Sequence, residues 1–475
     1  MKRNRSAMMR SLAFLLGIAL PHPVFADGNE NWWDGFRAPP PGKGMNAPVS
    51  ALTVHAGKLI AGGGFTQAGN AFCTRYVAQF DGSNWQQLQC GTDDWVYALL
   101  STGDDLYVAG SFTQAGGLPR ANIARWNGQW HSLGDGIPGA KGVYALGTYQ
   151  GNLIAAGHFQ ETDGSPGNFI AEWNGSTWAP LASGLSGGAV RAVKEFAGDL
   201  YVGGSFTHAG GQPTANLARW NGLEWDDVGT VTGSSSGWVR PVQALSTEYD
   251  GNLIVGGDFT HIDGIYMNGL AEWDGSSWIP LGLGLPVAGV QSISVYQGDL
   301  VVFGFLDGPG GSSRIARWNG SEWSGFGSGC SNHWLFGDDG PMIAYDGSVY
   351  VGGDIEFAGG HESEFIARWT DDVETAAPAV ESDGSFSLAM PSPNPFESMS
   401  AIGYTIASPS AVELGVYNSA GQLVATLVNR HHAPGRYDAQ WDGRDQWGTR
   451  VASGVYFVRL SSGDDERLRK VVLRR

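Results

Sequence analysis

Short apolar runs recur along most of the chain, and glycine-rich turns separate them. The run VRAVKEF is followed almost at once by DLYVGG, and a similar pair of runs comes before each glycine-rich phrase. Short runs of this kind, bounded by Gly, Asn or Asp, are typical of β-strands rather than helices. The pattern therefore predicts an all-β protein.

The glycine-rich phrase repeats at a nearly constant spacing. It reads GGSFTHAGG at residues 203–211, and its central residue marks seven copies separated by 47, 47, 47, 53, 46 and 50 residues. A period of this size indicates a repeat architecture in which each unit is a small group of strands. The seven central residues are Phe65, Phe112, Phe159, Phe206, Phe259, Phe305 and Ile355.

An aromatic hairpin follows the glycine-rich phrase in each copy. It reads WNGQW in the second copy and WNGLEW in the fourth, while the seventh keeps only Trp369. Asn-Gly and Asp-Gly favour tight hairpin turns, and the flanking aromatic residues would face each other across the two strands. Each repeat therefore predicts four antiparallel strands, which matches one blade of a β-propeller. The expected domain is a seven-bladed β-propeller over residues 27–370, in which Gly-Gly pairs allow neighbouring blades to converge toward the axis.

The two ends of the predicted ring look complementary. The seventh copy stops at IARWTDD without the second half of its hairpin, whereas NENWWDGF near the start resembles SEWSGF of the sixth copy. We therefore expect residues 31–36 to supply the outer strand that the last blade lacks, which would leave no open sheet edge. The alternative is that Trp32 and Trp33 belong to a linker.

The repeats resemble Kelch-like and galactose-oxidase-like propellers over roughly residues 31–370. In those families a glycine pair ends the second strand and aromatic residues lie on the third and fourth; Gly203, Gly204, Trp220 and Trp225 occupy these positions in the fourth copy. The chain departs from Kelch repeats in its tryptophan on the third strand and in the extra FTxAGG phrase. The resemblance thus implies the architecture rather than membership.

Both ends of the chain differ from the repeats. Residues 1–26 combine a basic start, the apolar run LAFLLGIAL and a small residue before Asp27, which predicts a signal peptide; no other segment is long and apolar enough to be transmembrane. Residues 371–385 form an acidic linker. Residues 386–475 contain short strand-like runs separated by Gly, Pro and Asp, which predicts a small immunoglobulin-like β-sandwich.

The C-terminal segment contains a set of motif residues in a fixed order: Pro393, Asn394, Pro395, Phe396, Trp441, Asp442, Gly443, Gly454, Val455 and Tyr456. Through these residues it resembles the type A sorting domain of the type IX secretion system, a relative of the immunoglobulin-like domain of the flagellar hook-capping protein. The resemblance implies that this segment routes the protein across the outer membrane through the secretion machinery, and that it is a candidate for removal at the cell surface. The alternative is a purely structural immunoglobulin-like module.

The charge of the chain limits the classes of partner that it can bind. The formal net charge is −18, and the acidic residues are concentrated in the repeats, which argues against binding of nucleic acid or an anionic membrane.

Cys73 and Cys90 bracket a hairpin whose turn is DGSN, so we expect them to form a disulfide in an exported protein. Cys330 is then left as a buried thiol.

Candidate chemistry is sparse. Polar residues follow the central aromatic by two positions in most copies, and Glu161, His208, His261 and Asp307 are of types capable of acid-base chemistry or metal binding. Because they lie on separate repeats, their spacing does not establish that they converge. The sequence GSSSG at 233–237 fits a nucleophile-elbow pattern, but no helical pattern follows it. No motif for a metal or cofactor is present, so none is predicted.

These features predict an exported, monomeric cell-surface or extracellular protein that binds a protein or polysaccharide ligand without catalysis. A secreted carbohydrate-active enzyme, such as a lyase, glycosidase or oxidase, is the alternative and would need carboxylates or metal ligands converging near the axis. A structural adhesin without a single binding site is a third possibility.

Overall fold

The protein is described by a computed structural model. The residues that it describes form β-strands joined by turns and two 3₁₀ helices, Asp34–Phe36 and Pro309–Gly311, and they contain no α-helix. Accordingly, no helix in them could span a membrane. The predicted signal peptide and most of the predicted linker lie outside the described residues. The described ranges are 31–36, 44–161, 164–234, 241–282, 284–285, 288–332, 340–371, 387–396, 399–406, 410–418, 421–432, 435–445, 449–462 and 465–474.

The larger, N-terminal part of the chain forms four-stranded antiparallel sheets, and its described residues, which lie within 31–371, contain seven of them. In sheets 1–6 the four strands follow one another in sequence, and in sheet 7 the outer strand comes from the N-terminus. Sheets 1 to 3 comprise Val49–His55, Lys58–Gly63, Val77–Phe80, Trp85–Gln87; Val96–Thr102, Asp105–Gly110, Ile123–Trp126, Trp130–His131; and Gly142–Tyr149, Asn152–His158, Ile170–Trp173, Trp178–Pro180. Sheets 4 to 7 comprise Val190–Phe196, Asp199–Gly204, Leu217–Trp220, Trp225–Asp227; Ala244–Ser246, Leu253–Gly256, Leu270–Trp273, Trp278–Pro280; Ala288–Tyr296, Asp299–Asp307, Ser313–Trp318, Trp323–Gly325; and Met342–Tyr345, Ser348–Gly352, Ile366–Trp369, Trp32–Trp33.

The sheets pack side by side in a closed β-propeller. The first strand of each sheet contacts the first strand of the next, and the first strand of sheet 7 contacts that of sheet 1. The Tyr345 hydroxyl also donates a hydrogen bond of 2.7 Å to the carbonyl of Gly57 across this last junction. The first strands are therefore the innermost ones, and the all-β prediction is confirmed.

Each aromatic hairpin is fixed by its own turn. In sheet 4 the Asn221 side chain accepts hydrogen bonds of 2.9 Å from the backbone N–H groups of Leu223 and Glu224, as expected of a polar turn residue. This turn sets Trp220 opposite Trp225, with ring centroids 5.3 Å apart. The Trp225 indole then donates to the carbonyl of Leu181 in the preceding repeat, at 3.1 Å. The hairpin thus joins one sheet to its neighbour.

The N-terminal strand completes sheet 7. Trp32 pairs with Trp369 and Trp33 with Arg368 in antiparallel register. The Trp32 ring lies edge-on to Trp369 at 5.3 Å between centroids, and Trp32 is 3% exposed. Both tryptophans of this pair therefore belong to the hydrophobic core that sheets 6 and 7 share.

The two glycines of the Gly-Gly pair have different roles. A Cβ atom on Gly203 would meet the side chain of Val242 in the next sheet, as the sequence predicted for converging blades. A Cβ atom on Gly204 would instead collide with the backbone carbonyl of Ala189 in its own sheet. Here the innermost strand shifts register at a β-bulge between Val190 and Ala192, which brings that carbonyl close. The second glycine is therefore required within a blade.

The extra FTxAGG phrase forms a second layer of small sheets. In sheet 4 its end, His208–Ala209, pairs with the incoming connection Leu185–Ser186 on one side and with Gln212–Pro213 on the other. The repeats that form sheets 5 and 7 each contain an equivalent three-stranded sheet. In these three repeats the phrase therefore ties the sheet to the connection that leads into it.

Polar pairs link the second and third strands of sheets 2 to 6 in complementary combinations. In sheet 4 Arg219 lies 3.4 Å from Asp199, with an additional contact of 2.7 Å to Asp226. In sheet 3 the same two positions hold Asn152 and Glu172, and the Asn152 amide donates to the Glu172 carboxylate at 2.7 Å. The chain thus changes both partners together from one repeat to the next.

The C-terminal part is a β-sandwich, as predicted. Its buried core includes Phe396, Leu414, Trp441 and Tyr456. One sheet contains Ser387–Leu388, Ser400–Ile406 and Gly435–Trp441; the other contains Leu423–His432, Ser410–Asn418, Gly454–Ser462 and Asp465–Leu473, in those spatial orders.

A disulfide joins Cys73 and Cys90, whose Cα atoms lie 4.6 Å apart. Cys330 is a free, buried thiol. Burial raises the pKa of the Cys330 thiol to about 12, and the nearby Arg314 guanidinium opposes this shift.

Candidate functional site

Of the four sequence-predicted site residues, His208 and His261 lie in second-layer strands, whereas Glu161 follows the second strand of sheet 3 and Asp307 ends the second strand of sheet 6. His208 and His261 begin equivalent short strands, and each ring nitrogen Nδ1 is hydrogen-bonded to the hydroxyl of the preceding threonine, at 2.9 and 2.8 Å. Glu161 is exposed, and its backbone N–H donates to the Asn168 side chain. Asp307 is exposed and pairs with Ser313 at the end of a hairpin.

No two of these four side chains share a hydrogen bond or an ion pair within the described ranges. Over the same ranges, no group of three or more His, Cys, Asp and Glu residues is arranged to hold a metal ion. The histidines instead repeat one local contact with a neighbouring threonine hydroxyl. Within the described residues, His208 and His261 thus make the same local contact in the second layer.

A different set of residues gathers around the axis. At the start of six innermost strands, a single residue lies between an apolar residue and a small one, and in five of them the strand register shifts at that residue. Such bulges redirect a side chain and often lie beside binding sites. All six residues are half-buried. We call them the axial residues: Ser50, Tyr97, Tyr144, Arg191, Gln243 and Gln291.

Neighbouring axial residues form a continuous row across sheets 2 to 4. The rings of Trp95 and Tyr97 lie 6.1 Å apart and nearly parallel, at 27°. Tyr97 meets Tyr144 at 5.3 Å and 68°, and the Arg191 guanidinium lies 4.3 Å from the centre of the Tyr144 ring. Three separate strands therefore bring three aromatic rings and one cation into contact.

The first ring of the row is held in place from two sides. The Trp95 backbone N–H donates to Asp94 Oδ1 at 2.9 Å, and Ser111 donates to the other oxygen of the same carboxylate at 3.1 Å. The indole lies against Gly64 of sheet 1, where a Cβ atom would collide with it. A glycine in the neighbouring sheet thus makes room for Trp95.

The axial residue of sheet 6, Gln291, has no aromatic axial neighbour, and the same sheet contains the half-buried Arg314. Gln291 Oε1 is buried and accepts no hydrogen bond within the described residues. It lies close to Gly340 of sheet 7, which also faces the Phe303 ring. The Arg314 guanidinium lies 4.5 Å from the centre of the Phe305 ring, and burial lowers the pKa of Arg314 against the opposing charges of Cys330 and Asp354.

Sequence reasoning missed the axial residues, although a signal is present. Six repeats share the pattern of an apolar residue, a variable residue and then Ala or Ser, as in VYAL, VRAV and VQAL. The first and third positions are buried or nearly so, and the middle position varies between Ser, Tyr, Arg and Gln. A variable position inside an otherwise constant apolar pattern is a signal of function rather than of packing.

The C-terminal motif residues build the sandwich core and bind its last strand. The rings of Phe396 and Tyr456 both pack against Trp441, at 5.4 and 5.0 Å between centroids. The Asn394 amide donates to the carbonyl of Lys470, and its oxygen accepts a hydrogen bond of 2.7 Å from the N–H of Val472. These motif residues therefore stabilise the fold.

Family comparisons agree with the two-part architecture. Residues 396–466 match the FlgD Ig-like domain, and residues 198–221 match a β-propeller domain of unknown function, DUF5122. The second match falls on the glycine pair and third strand of sheet 4. No curated protein matches the chain.

Solved structures overlap the chain only distantly. PorZ, a surface component of the type IX secretion system of Porphyromonas gingivalis, is 16% identical with a TM-score of 0.45; the overlap covers 92% of this chain and 61% of PorZ. A fungal alcohol oxidase in complex with copper is 14% identical with a TM-score of 0.28, over 90% of this chain and 86% of the oxidase. This chain thus spans less than two thirds of PorZ, and neither overlap is close enough to transfer a function.

Proposed function

We propose that the protein is an exported cell-surface or extracellular protein whose propeller binds a ligand at the axial residues without catalysis. The observation that carries this proposal is the row of Trp95, Tyr97, Tyr144 and Arg191, in which rings from separate strands meet beside the axis. Aromatic side chains and arginine are enriched where proteins bind partners, because they offer large contact areas at low entropic cost.

The composition of the axial residues favours binding over catalysis. They offer one hydroxyl, two phenols, one guanidinium and two amides, and none of the six is a carboxylate. A glycosidase or lyase at this place would require an acid and a base in reach of one bond. A carbohydrate-active enzyme therefore remains the alternative only if its catalytic groups come from other residues.

The C-terminal domain supplies the proposed route to the outside. Residues 396–466 match the FlgD Ig-like domain. The sequence also resembles type IX sorting domains, whose motif residues it contains in the same order. We propose that residues 1–26 direct export across the inner membrane, that 371–385 form a linker and that 386–475 engage the secretion machinery. The propeller over 27–370, with its Kelch-like repeats, is then the cargo.

Exposure of the protein on the cell surface tests whether the C-terminal domain directs its export. The full chain and a variant that ends at residue 385 are expressed in a bacterium with a type IX system, and intact cells are treated with protease. We expect the full chain on the surface or in the medium and the shortened chain in the periplasm. Leu223→Ala, an exposed change in a propeller turn, serves as the control. Surface delivery of the shortened chain would contradict the sorting role.

A further inference from the structure

We propose that the axial residues bind a neutral polysaccharide chain, whose sugar rings pack on the Trp95–Tyr97–Tyr144 row and whose hydroxyl groups bind Arg191, Gln243 and Gln291. This inference rests on the proposed binding role of the propeller and names the class of its ligand.

The aromatic row fits the apolar face of a sugar ring. The C–H groups on one side of a pyranose carry partial positive charge and pack well on the negative face of an aromatic ring. Tyr97 and Tyr144 meet at 68°, so their faces form an angled trough rather than one flat stack. Because Arg191 lies over Tyr144, its planar group is already positioned, and its N–H edge can donate to hydroxyl oxygens.

The remaining axial residues suit hydroxyl groups better than charged groups. A sugar hydroxyl both donates and accepts, and the amides of Gln243 and Gln291 do the same. Gln291 Oε1 is a buried acceptor without a donor in the described residues, which a ligand hydroxyl would satisfy. The chain carries a formal net charge of −18, so a polyanion would be repelled as it approaches.

The shape of the site favours a slender ligand over a folded protein. Each of six sheets contributes one half-buried side chain, so the axial residues offer only a small contact surface. A stable protein interface covers about 800 Å² on each partner. A polysaccharide chain is narrow enough to bind along a row of a few side chains.

The experiment measures binding of the purified full chain to an array of neutral gluco-, xylo- and manno-oligosaccharides, acidic oligogalacturonides and a random peptide library. Dissociation constants for the best ligand are then measured by calorimetry for the wild type and for three single variants. Tyr97→Ala removes a ring of the row, Tyr97→Phe keeps the ring, and Tyr266→Ala removes an exposed tyrosine of a second-layer hairpin, away from the innermost strands.

We expect binding to a neutral oligosaccharide that Tyr97→Ala weakens by about tenfold or more, while Tyr97→Phe and Tyr266→Ala retain it. A His208→Ala/His261→Ala double variant should also retain it. Binding that depends on Tyr97 but is restricted to oligogalacturonides or peptides would overturn the neutral-sugar assignment and leave the binding role of the propeller. If neither glycan nor peptide binding responds to Tyr97→Ala, the site itself is wrong.

Discussion

The indole N–H of Trp32 donates a hydrogen bond of 3.0 Å to the carbonyl of Phe326, which lies 294 residues later in the chain. Within contiguous repeats the same bond recurs, from the outer tryptophan of one sheet to a carbonyl just beyond the outer strand of the preceding sheet. The N-terminal tryptophan thus takes the place that a seventh hairpin would have provided. The equivalent pairs are Trp130 and Leu88, Trp178 and Leu133, Trp225 and Leu181, Trp278 and Val228, and Trp323 and Leu281.

Trp32→Ala should destabilise the whole propeller, because it removes a buried indole, its hydrogen bond and its contact with Trp369. We expect a loss of about 3–5 kcal/mol in the free energy of unfolding, measured by urea denaturation. Trp32→Phe keeps an aromatic ring and should lose only about 1–2 kcal/mol. Deletion of residues 27–37 should match Trp32→Ala, and an unchanged stability would show that this segment is only a linker.

The two glycines of sheet 4 should respond differently to alanine. Gly203→Ala forces its methyl group against the side chain of Val242, which can shift, so we expect a loss of about 1–2 kcal/mol. Gly204→Ala forces it against the Ala189 carbonyl, which the strand pairing holds, so the loss should be about 3 kcal/mol or more. Thermal unfolding of both variants compares them directly. Equal losses of stability in the two variants would contradict the distinction between the two glycines.

The polar pair in sheet 4 should be exchangeable for the pair in sheet 3. Arg219→Glu places a carboxylate beside Asp199 and Asp226 and should cost about 1 kcal/mol, since these groups are partly solvent-exposed. Adding Asp199→Asn recreates the combination seen at Asn152 and Glu172, and it should recover part of that loss. A double-mutant cycle in urea tests this. Additive effects would show that the two positions are independent.

The hydrogen bonds of Asn394 to the last strand should stabilise the C-terminal sandwich. Asn394→Asp keeps the acceptor for the Val472 N–H but loses the donor to the Lys470 carbonyl, and we expect a loss of about 1–3 kcal/mol for this domain. Calorimetry should show a lower transition temperature for the sandwich with an unchanged propeller transition. Asp442→Asn, an exposed change elsewhere in the motif, is the control. A shift in the propeller transition instead would contradict this assignment.

Cys330 should be inert in the folded protein. Because burial raises the pKa of its thiol from an ordinary value of 9.0 to about 12, the folded state keeps the proton that the unfolded state releases. The contribution of this thiol to stability is therefore complete below pH 9.0 and is lost as the pH rises toward about 12. Without reductant, iodoacetamide should label one cysteine, and only after denaturation; Cys330→Ala should abolish that labelling. Labelling of the native protein at pH 8 would contradict this.

Local chemistry explains what the sequence could predict. The hairpin around Asn221 depends on residues within a few positions, so its pattern alone indicates the turn and the Trp220–Trp225 pair. The all-β class and the two-part architecture follow from the repetition of such units and are confirmed. The contact between Tyr97 and Tyr144 depends instead on the angle between two sheets and on a bulge in each strand, which no residue spacing encodes.

The contacts of the predicted polar residues could not be read from residue type. His208 and His261 are candidate site residues because histidine can carry acid-base chemistry, although their positions in separate repeats do not establish that they converge. In the structure their backbones pair with the connections between sheets, and each ring bonds to a threonine beside it. Residue type alone therefore did not indicate which side chains the fold brings into contact.

The pairing of Trp32 and Trp33 with the strand Ile366–Trp369 sets the order in which the propeller can be finished. A growing polypeptide exposes these two tryptophans first and receives their partner strand last, so every unfinished chain presents an apolar edge at each end. Any chaperone that shields these edges must therefore release the N-terminal strand only after the final repeat has emerged.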